Sequence, residues 1–291
     1  MKNLFSILLA AVVVAALFSY TKRNRTPEYL DPACYASCNP ADTRALISLD
    51  ASKPGFAALH EAPKYFRLAD PAGVMTSFKA EGGDAQGYLI KSKKKTNKWL
   101  LVIQEWWGLN DYIKREADAF AGELGEVNVL AVDMYDGKVA STTDSAMKYM
   151  RGAAPARLES IVKGALAFAG GDAKIYTVGW CFGGGWSLQS TILAGKQGSG
   201  CVMYYGRPET NIDRLKMINS DVIGFFGNKD QGIPPQAVDN FEKNMKEAGK
   251  NLEVHRYDAG HGFANPSNPV YDKAAAEDAH TRAIAFLKAH M

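Results

Sequence analysis

The chain has 291 residues, 47% hydrophobic and 22% charged, with a formal net charge of +3. That composition excludes a disordered chain, and the length allows a full core without metal or disulfide staples. The small net charge does not point to a nucleic-acid binder, which carries a clustered basic face.

The first element is an apolar stretch, residues 4–18, preceded by Lys2 and interrupted only by Ser6. It is short for a membrane span, which needs about 20 residues, and fits a secretion signal. No clean A-x-A precedes Tyr20, and Lys22, Arg23 and Arg25 follow, so an uncleaved anchor is the alternative. Residues 1–20 are therefore expected to direct export (periplasmic or secreted), with membrane contact only if the segment is retained. Six of the 12 prolines lie between Pro27 and Pro71, so residues 21–70 read as a linker or an arm lying on the domain, with a short helix near 44–49. The four cysteines, Cys34, Cys38, Cys181 and Cys201, do not form a disulfide scaffold. Cys34 and Cys38 could pair in an oxidising compartment. No second pair stands nearby at zinc-ligand spacing, and no metal or other cofactor is expected.

From about residue 71 the pattern becomes that of one α/β domain running to residue 291. Residues 75–79 and 87–91 read as a strand pair joined through Gly82-Gly83. The five lysines between 91 and 98 read as a solvated hairpin turn leading to the apolar strand 99–104. A helix is expected over 111–124, a buried strand over 127–132, and helices over 141–151 and 155–169. Strand 174–179 precedes a helix at 183–193. Further strands fall at 201–205, 222–227 and 252–257, and helices at 234–248 and 271–290. Alternating strands and helices predict a mainly parallel sheet with helices on both faces, and the site of such a sheet lies at the carboxyl ends of its strands.

Gly179-Trp180-Cys181-Phe182-Gly183 has the G-x-nucleophile-x-G form of a nucleophile elbow, with a strand before it and a helix after it, as in an α/β-hydrolase fold. The helix N-terminus behind Cys181 favours a thiolate. A cysteine nucleophile needs a base, and the base needs an orienting group. Asp230 follows the strand at 222–227 and His261 follows the strand at 252–257, which gives the order nucleophile, acid, histidine. His255, His280 and His290 lie within a strand or on the last helix, and His60 lies in the arm. Glu105, at the end of strand 99–104, points towards the nucleophile, where it could hold the thiol proton or bias the charge of Cys181. The backbone N–H groups of Phe182 and Trp106 are candidate oxyanion donors. Trp106 and Trp107 either line the pocket or pack as core or lid.

These motifs resemble the dienelactone hydrolase family over about residues 70–291. The resemblance rests on Gln104-Glu105-Trp106-Trp107-Gly108, Val132-Asp133-Met134-Tyr135, the elbow with Gly184, Tyr204-Tyr205-Gly206, the loop at 227–230, and Gly260-His261-Gly262-Phe263. It implies a cofactor-free hydrolase that opens enol-lactones and related esters through Cys181, Asp230 and His261, with Glu105 modulating the thiol. It also implies that Tyr204 or Tyr205 borders the pocket. Family members that open dienelactone hold its carboxylate with arginines, one of them shortly after the histidine. Here Asn265 stands in that place, and an asparagine cannot supply a bidentate, charged contact. The expected substrate is therefore a related small ester or lactone with another polar handle. Arg151, Arg157 and Arg207 are further candidate cations.

Three other readings compete: a thioesterase or other acyl hydrolase on the same fold, a non-catalytic binding protein that kept the fold, and a thiol redox protein using Cys181 or the Cys34–Cys38 pair. The four-residue set argues against the binding protein, and the absence of C-x-x-C argues against the redox protein. A monomer is expected.

Overall fold

The structure, a computed structural model, describes residues 62–291. The signal or anchor segment, the helix near 44–49, the Cys34–Cys38 pair and most of the arm lie outside the described residues. Residues 62–73 run along the first helix. Leu68 N donates to Asp111 Oδ2 at 3.0 Å, Tyr112 Oη donates to the Lys64 carbonyl at 3.0 Å, and Phe66 packs on Tyr112 at 4.8 Å between ring centroids.

Eight strands form one sheet: β1 (Val74–Phe78), β2 (Ala85–Ile90), β3 (Lys98–Ile103), β4 (Asn128–Val132), β5 (Lys174–Trp180), β6 (Gly198–Tyr204), β7 (Val222–Gly227) and β8 (Leu252–Tyr257). Their order is β1-β2-β4-β3-β5-β6-β7-β8. β1–β2 and β2–β4 pair antiparallel, and every later pair is parallel. β3 to β5 are apolar almost throughout because both faces are covered, as expected of parallel strands.

This order corrects one expectation. The lysine-rich segment after β2 is solvated, but it is not a hairpin turn. β4 inserts between β2 and β3, so the segment carries the chain past β4 to begin the parallel part of the sheet. The alternation of side chains along a strand leaves hairpin and crossover looking alike until the pairing partner is known.

The helices are α1 (Asp111–Leu124), α2 (Thr143–Gly152), α3 (Pro155–Ala169), α4 (Phe182–Ala194), α5 (Ile212–Lys216), α6 (Pro235–Glu247) and α7 (Lys273–His290). α1 and α7 pack together on one face, while α3, α4 and α6 cover the other. Local chemistry sets their ends. Asn110 caps α1 through Ile113 N at 3.1 Å, Thr142 and Ser145 form a capping box at α2, Pro155 opens α3, and Asp272 caps α7 through Ala275 N at 3.1 Å. α5 has only five residues, too short for a helical period to show in the sequence. Alternation along β6 and β7 divides the core: Val202, Tyr204 and Phe225 face α7, while Cys201, Met203 and Phe226 join the cluster under α4 and α6.

Candidate active site

Cys181 occupies the turn between β5 and α4 with φ 54°, a left-handed conformation that a residue with a Cβ rarely adopts. Two glycines make the turn feasible. A Cβ on Gly179 would lie 2.1 Å from the Gly183 carbonyl oxygen, and one on Gly183 would lie 2.3 Å from that of Ile103. Helix and strand thus approach more closely than any side chain permits. The turn is tied to its neighbours by Cys181 N donating to the Tyr204 carbonyl at 3.0 Å, and by Gly184 N donating to the Cys181 carbonyl at 3.0 Å.

The loops after β7 and β8 bring two further side chains to the thiol. His261 Nε2 lies 3.2 Å from Cys181 Sγ, and its Nδ1 lies 2.6 Å from Asp230 Oδ2. The other Asp230 oxygen accepts from Gly232 N at 2.7 Å and Ile233 N at 2.9 Å. All three side chains are buried. Burial pushes the Cys181 thiol up, with His261 offsetting it in part. For His261, burial acts downward, but the charges of Asp230 and of a Cys181 thiolate and the hydrogen bonds to both lift it well above 6.5. For Asp230, burial acts upward, and the His261 charge with three hydrogen bonds outweighs it, so the carboxyl stays below its usual range. The hydrogen bonds and the His261 charge thus keep Asp230 ionised.

Glu105 lies just past β3 and is 8% exposed. Asn265 Nδ2 donates to its Oε2 at 2.6 Å, and Tyr205 Oη donates to Oε1 at 3.5 Å. Burial raises its pKa from 4.5 to about 7, against the lowering effects of His261, Asn265 and Tyr205. Its charge in turn raises the Cys181 thiol, so protonating Glu105 makes a thiolate easier to form.

Two clefts meet at Glu105. The inner one contains Cys181, His261, Trp106 and Asn268. The outer one, open to solvent and about 430 Å³, contains Tyr205, Trp180, Arg115 and Pro63. Glu105, Trp107, Asn265 and Ser267 line both. The Phe182 N–H lies close enough to the thiol to favour its ionised form, against the upward push of burial. Trp106 is buried beside the inner cleft and its ring packs on Trp107 at 4.9 Å, so the pair serves as lining and packing together.

The two tyrosines part company. Tyr205, with φ 36°, sets its ring 5.2 Å from the His261 ring. Tyr204 stacks on Trp180 at 5.4 Å and packs on Phe225 at 4.7 Å, behind the lining of these two clefts. Of the candidate cations, Arg157 is bound to Asp136 and to the carbonyls of Glu81, Gly83 and Asp84. Arg151 and Arg207 line neither cleft. Among the described residues, the cation lining the outer cleft is Arg115, which is paired with Glu116 at 3.0 Å and which the sequence did not single out. Its guanidinium lies 5.3 Å from the Phe66 ring and 5.4 Å from the Tyr112 ring. Helical spacing places Tyr112 and Arg115 on one face of α1, but that this face borders Glu105 is a tertiary fact. The remaining described histidines are paired elsewhere: His255 with Glu253, His280 with Glu123 and His290 with Asp221.

Comparison with known proteins places the chain in a family. The Dienelactone hydrolase family pattern matches residues 85–291. The chain is 31% identical over 240 residues to Protein usf of Aquifex pyrophilus, covering 75% of this chain and 99% of that protein. It is 25% identical over 220 residues to Carboxymethylenebutenolidase 1 of Cupriavidus pinatubonensis, covering 71% of this chain and 92% of that one. A crystal structure of a dienelactone hydrolase-like promiscuous phosphotriesterase from metagenomic libraries superposes with a TM-score of 0.63 at 20% identity, over 75% of this chain and 99% of its own. That likeness carries the α/β-hydrolase fold alone. The family match spans well over half the sequence, and the chain belongs to the dienelactone hydrolase family.

Proposed function

We propose that this hydrolase cleaves a small ester or lactone with Cys181 as nucleophile, His261 as base and Asp230 as the group that orients it. The observation that carries the reading is the continuous buried relay from Sγ to Nε2 at 3.2 Å and from Nδ1 to Asp230 at 2.6 Å, set on a strained elbow.

In this reading His261 takes the thiol proton and the thiolate attacks the carbonyl carbon. The Phe182 and Trp106 amides hold the oxyanion. Collapse expels the alkoxide, which takes the proton from His261, and water activated by His261 hydrolyses the thioester. Glu105 acts on the first step: in its protonated form it removes the negative charge that opposes the thiolate. The outer cleft, with Arg115 and the Asn265 amide near Glu105, supplies the polar handle for the substrate in place of an arginine at position 265. Residues 1–20 are proposed to direct export, residues 21–70 to form an arm, and residues 71–291 to form the hydrolase domain. N-terminal sequencing of protein recovered from the cell envelope or medium tests the export assignment, and an intact Met1 on cytosolic protein would defeat it.

The test of the chemistry is whole-protein mass spectrometry after brief exposure to a chromogenic ester and acid quench. The expected result is one acyl adduct on the wild type and none on Cys181→Ala. An adduct retained by the variant would overturn the role of Cys181. No adduct and no released chromophore across several short esters and lactones would favour a binding protein on this fold. Rapid turnover of thioesters but not of oxygen esters would assign the same relay to a thioesterase.

A further inference from the structure

The loop between β4 and α2 is tied down along its whole course. Asp133 accepts from Tyr135 N at 2.9 Å and from Gly137 N at 2.5 Å. Met134 N donates to Gln104 Oε1 at 3.2 Å, and Ala140 N donates to the Trp107 carbonyl at 2.8 Å. Arg157 clamps Asp136, a non-glycine residue at φ 52°. The loop also presses on Gly108, where a Cβ would lie 2.4 Å from the Lys138 carbonyl oxygen. The loop is thereby fastened to the segment that carries the Trp106 amide.

This fastening holds the Tyr135 side chain against Phe182, whose amide is one of the two candidate oxyanion donors. Its ring packs on Phe182 at 5.4 Å between centroids and is covered by Tyr149 at 6.5 Å. Tyr135 is 4% exposed, yet its hydroxyl has no hydrogen-bond partner among the described residues. Buried polar groups of that kind are rare in folded proteins. Tyr205, the other phenol beside the site, gives its hydrogen bond to Glu105. Burial, and after it the negative charge of a Cys181 thiolate, hold the Tyr135 hydroxyl protonated. Its phenol is thereby favoured in the protonated, donating form.

We propose that the Tyr135 hydroxyl is a third oxyanion donor, which completes its hydrogen bonding on the tetrahedral intermediate. The proposal rests on the nucleophilic role of Cys181. As the bond from Sγ to the carbonyl carbon forms, the carbonyl π pair moves to oxygen. The Tyr135 O–H and the Phe182 and Trp106 N–H groups then donate to that oxygen, and no proton leaves Tyr135. Collapse restores the carbonyl, breaks the bond to the leaving oxygen and returns the Tyr135 hydroxyl to its unpartnered state. A donor of this kind acts on the transition state more than on the bound ester, so it governs kcat rather than KM.

The experiment compares the full-length wild type with Tyr135→Phe on one short chromogenic ester. The expected loss in kcat is on the order of 10- to 100-fold, with KM within about twofold, somewhat less than removal of a principal oxyanion donor. The melting temperature should hold or rise, because no protein hydrogen bond is removed. Alkylation of Cys181 by iodoacetamide should proceed at the wild-type rate, because that displacement forms no tetrahedral oxyanion. An unchanged kcat overturns the proposal, whether or not the melting temperature falls. A fall in alkylation rate matching the fall in kcat also overturns it, by moving the effect of Tyr135 to the thiol. If the wild type forms no acyl adduct, the hydrolytic reading of Cys181 fails and takes this role with it. If the wild type is acylated and the variant matches it, only the role of Tyr135 is lost.

Discussion

Two buried carboxyl groups stand on either side of Cys181, and they behave in opposite ways. Asp230 is 3% exposed and lies below its usual range, whereas Glu105 is 8% exposed and rises to about 7. Burial pushes both upward and the His261 charge pulls both down, so the hydrogen-bond donors are the clearest contrast between them. Asp230 receives a cationic partner at 2.6 Å and two backbone amides on its other oxygen. Glu105 receives one neutral amide at 2.6 Å and a distant phenol. The number and charge of the donors decide which carboxyl stays ionised. One site thereby holds a carboxyl kept ionised against His261, the permanent anion of the proposed mechanism, and a carboxyl that titrates near neutral pH beside the thiol, its proposed switch.

The largest effect should come from destroying the permanent anion. Asp230→Asn keeps the shape but removes the charge and the acceptor pattern that orient His261. By analogy with other triads kcat/KM should fall about 10⁴-fold, measured on any ester the wild type hydrolyses; a loss under tenfold would mean that Asp230 does not orient the base.

Next comes removal of the switch. Folding holds Glu105 protonated, with a value of about 7 against the usual 4.5. A raised carboxyl contributes its stability fully below 4.5, loses it as pH rises towards 7, and leaves a constant penalty above that. That interval corresponds to about 3 kcal/mol at most. Glu105→Gln, which cannot ionise, should be more stable than the wild type at pH 8 and no more stable at pH 4. Denaturant midpoints at the two pH values check this, and equal differences at both would refute the switch.

The smallest effect sharpens the comparison. Asn265 lowers the pKa of Glu105 by its hydrogen bond. Asn265→Ala should move the pH midpoint of the stability curve upward, read from thermal unfolding across pH 5–9. A downward move would show that Asn265 does not restrain the proton of Glu105.

Much of the fold is legible along the chain. α1, β7, β8 and α3 lie where their apolar patterns place them, because each pattern spans a whole element and is bounded by a cap, a glycine or a proline. The hairpin reading of the lysine segment failed because strand order is a pairing fact and leaves no mark within the strand itself. The meeting of Cys181, Asp230 and His261 was legible because the elbow is a local motif, and each of the other two follows its own strand at the sheet's carboxyl edge. The pocket was not legible. Tyr204 and Tyr205 are neighbours in sequence, and only the positive φ at Tyr205 where β6 ends decides how that residue meets His261.

The sequence alone therefore determined the order of elements, the sharp turn at Cys181 and the placing of Cys181, Asp230 and His261 each just past its own strand, since each is encoded within a few residues. Tertiary structure alone decided that Asn265 meets Glu105 across 160 positions of chain, that Arg115 borders the outer cleft, and that Tyr135 packs on Phe182 with its hydroxyl unpartnered among the described residues. Contacts between distant segments depend on how the sheet and helices close around one another. Their energies come from burial and donor geometry, which exist only once the chain has folded.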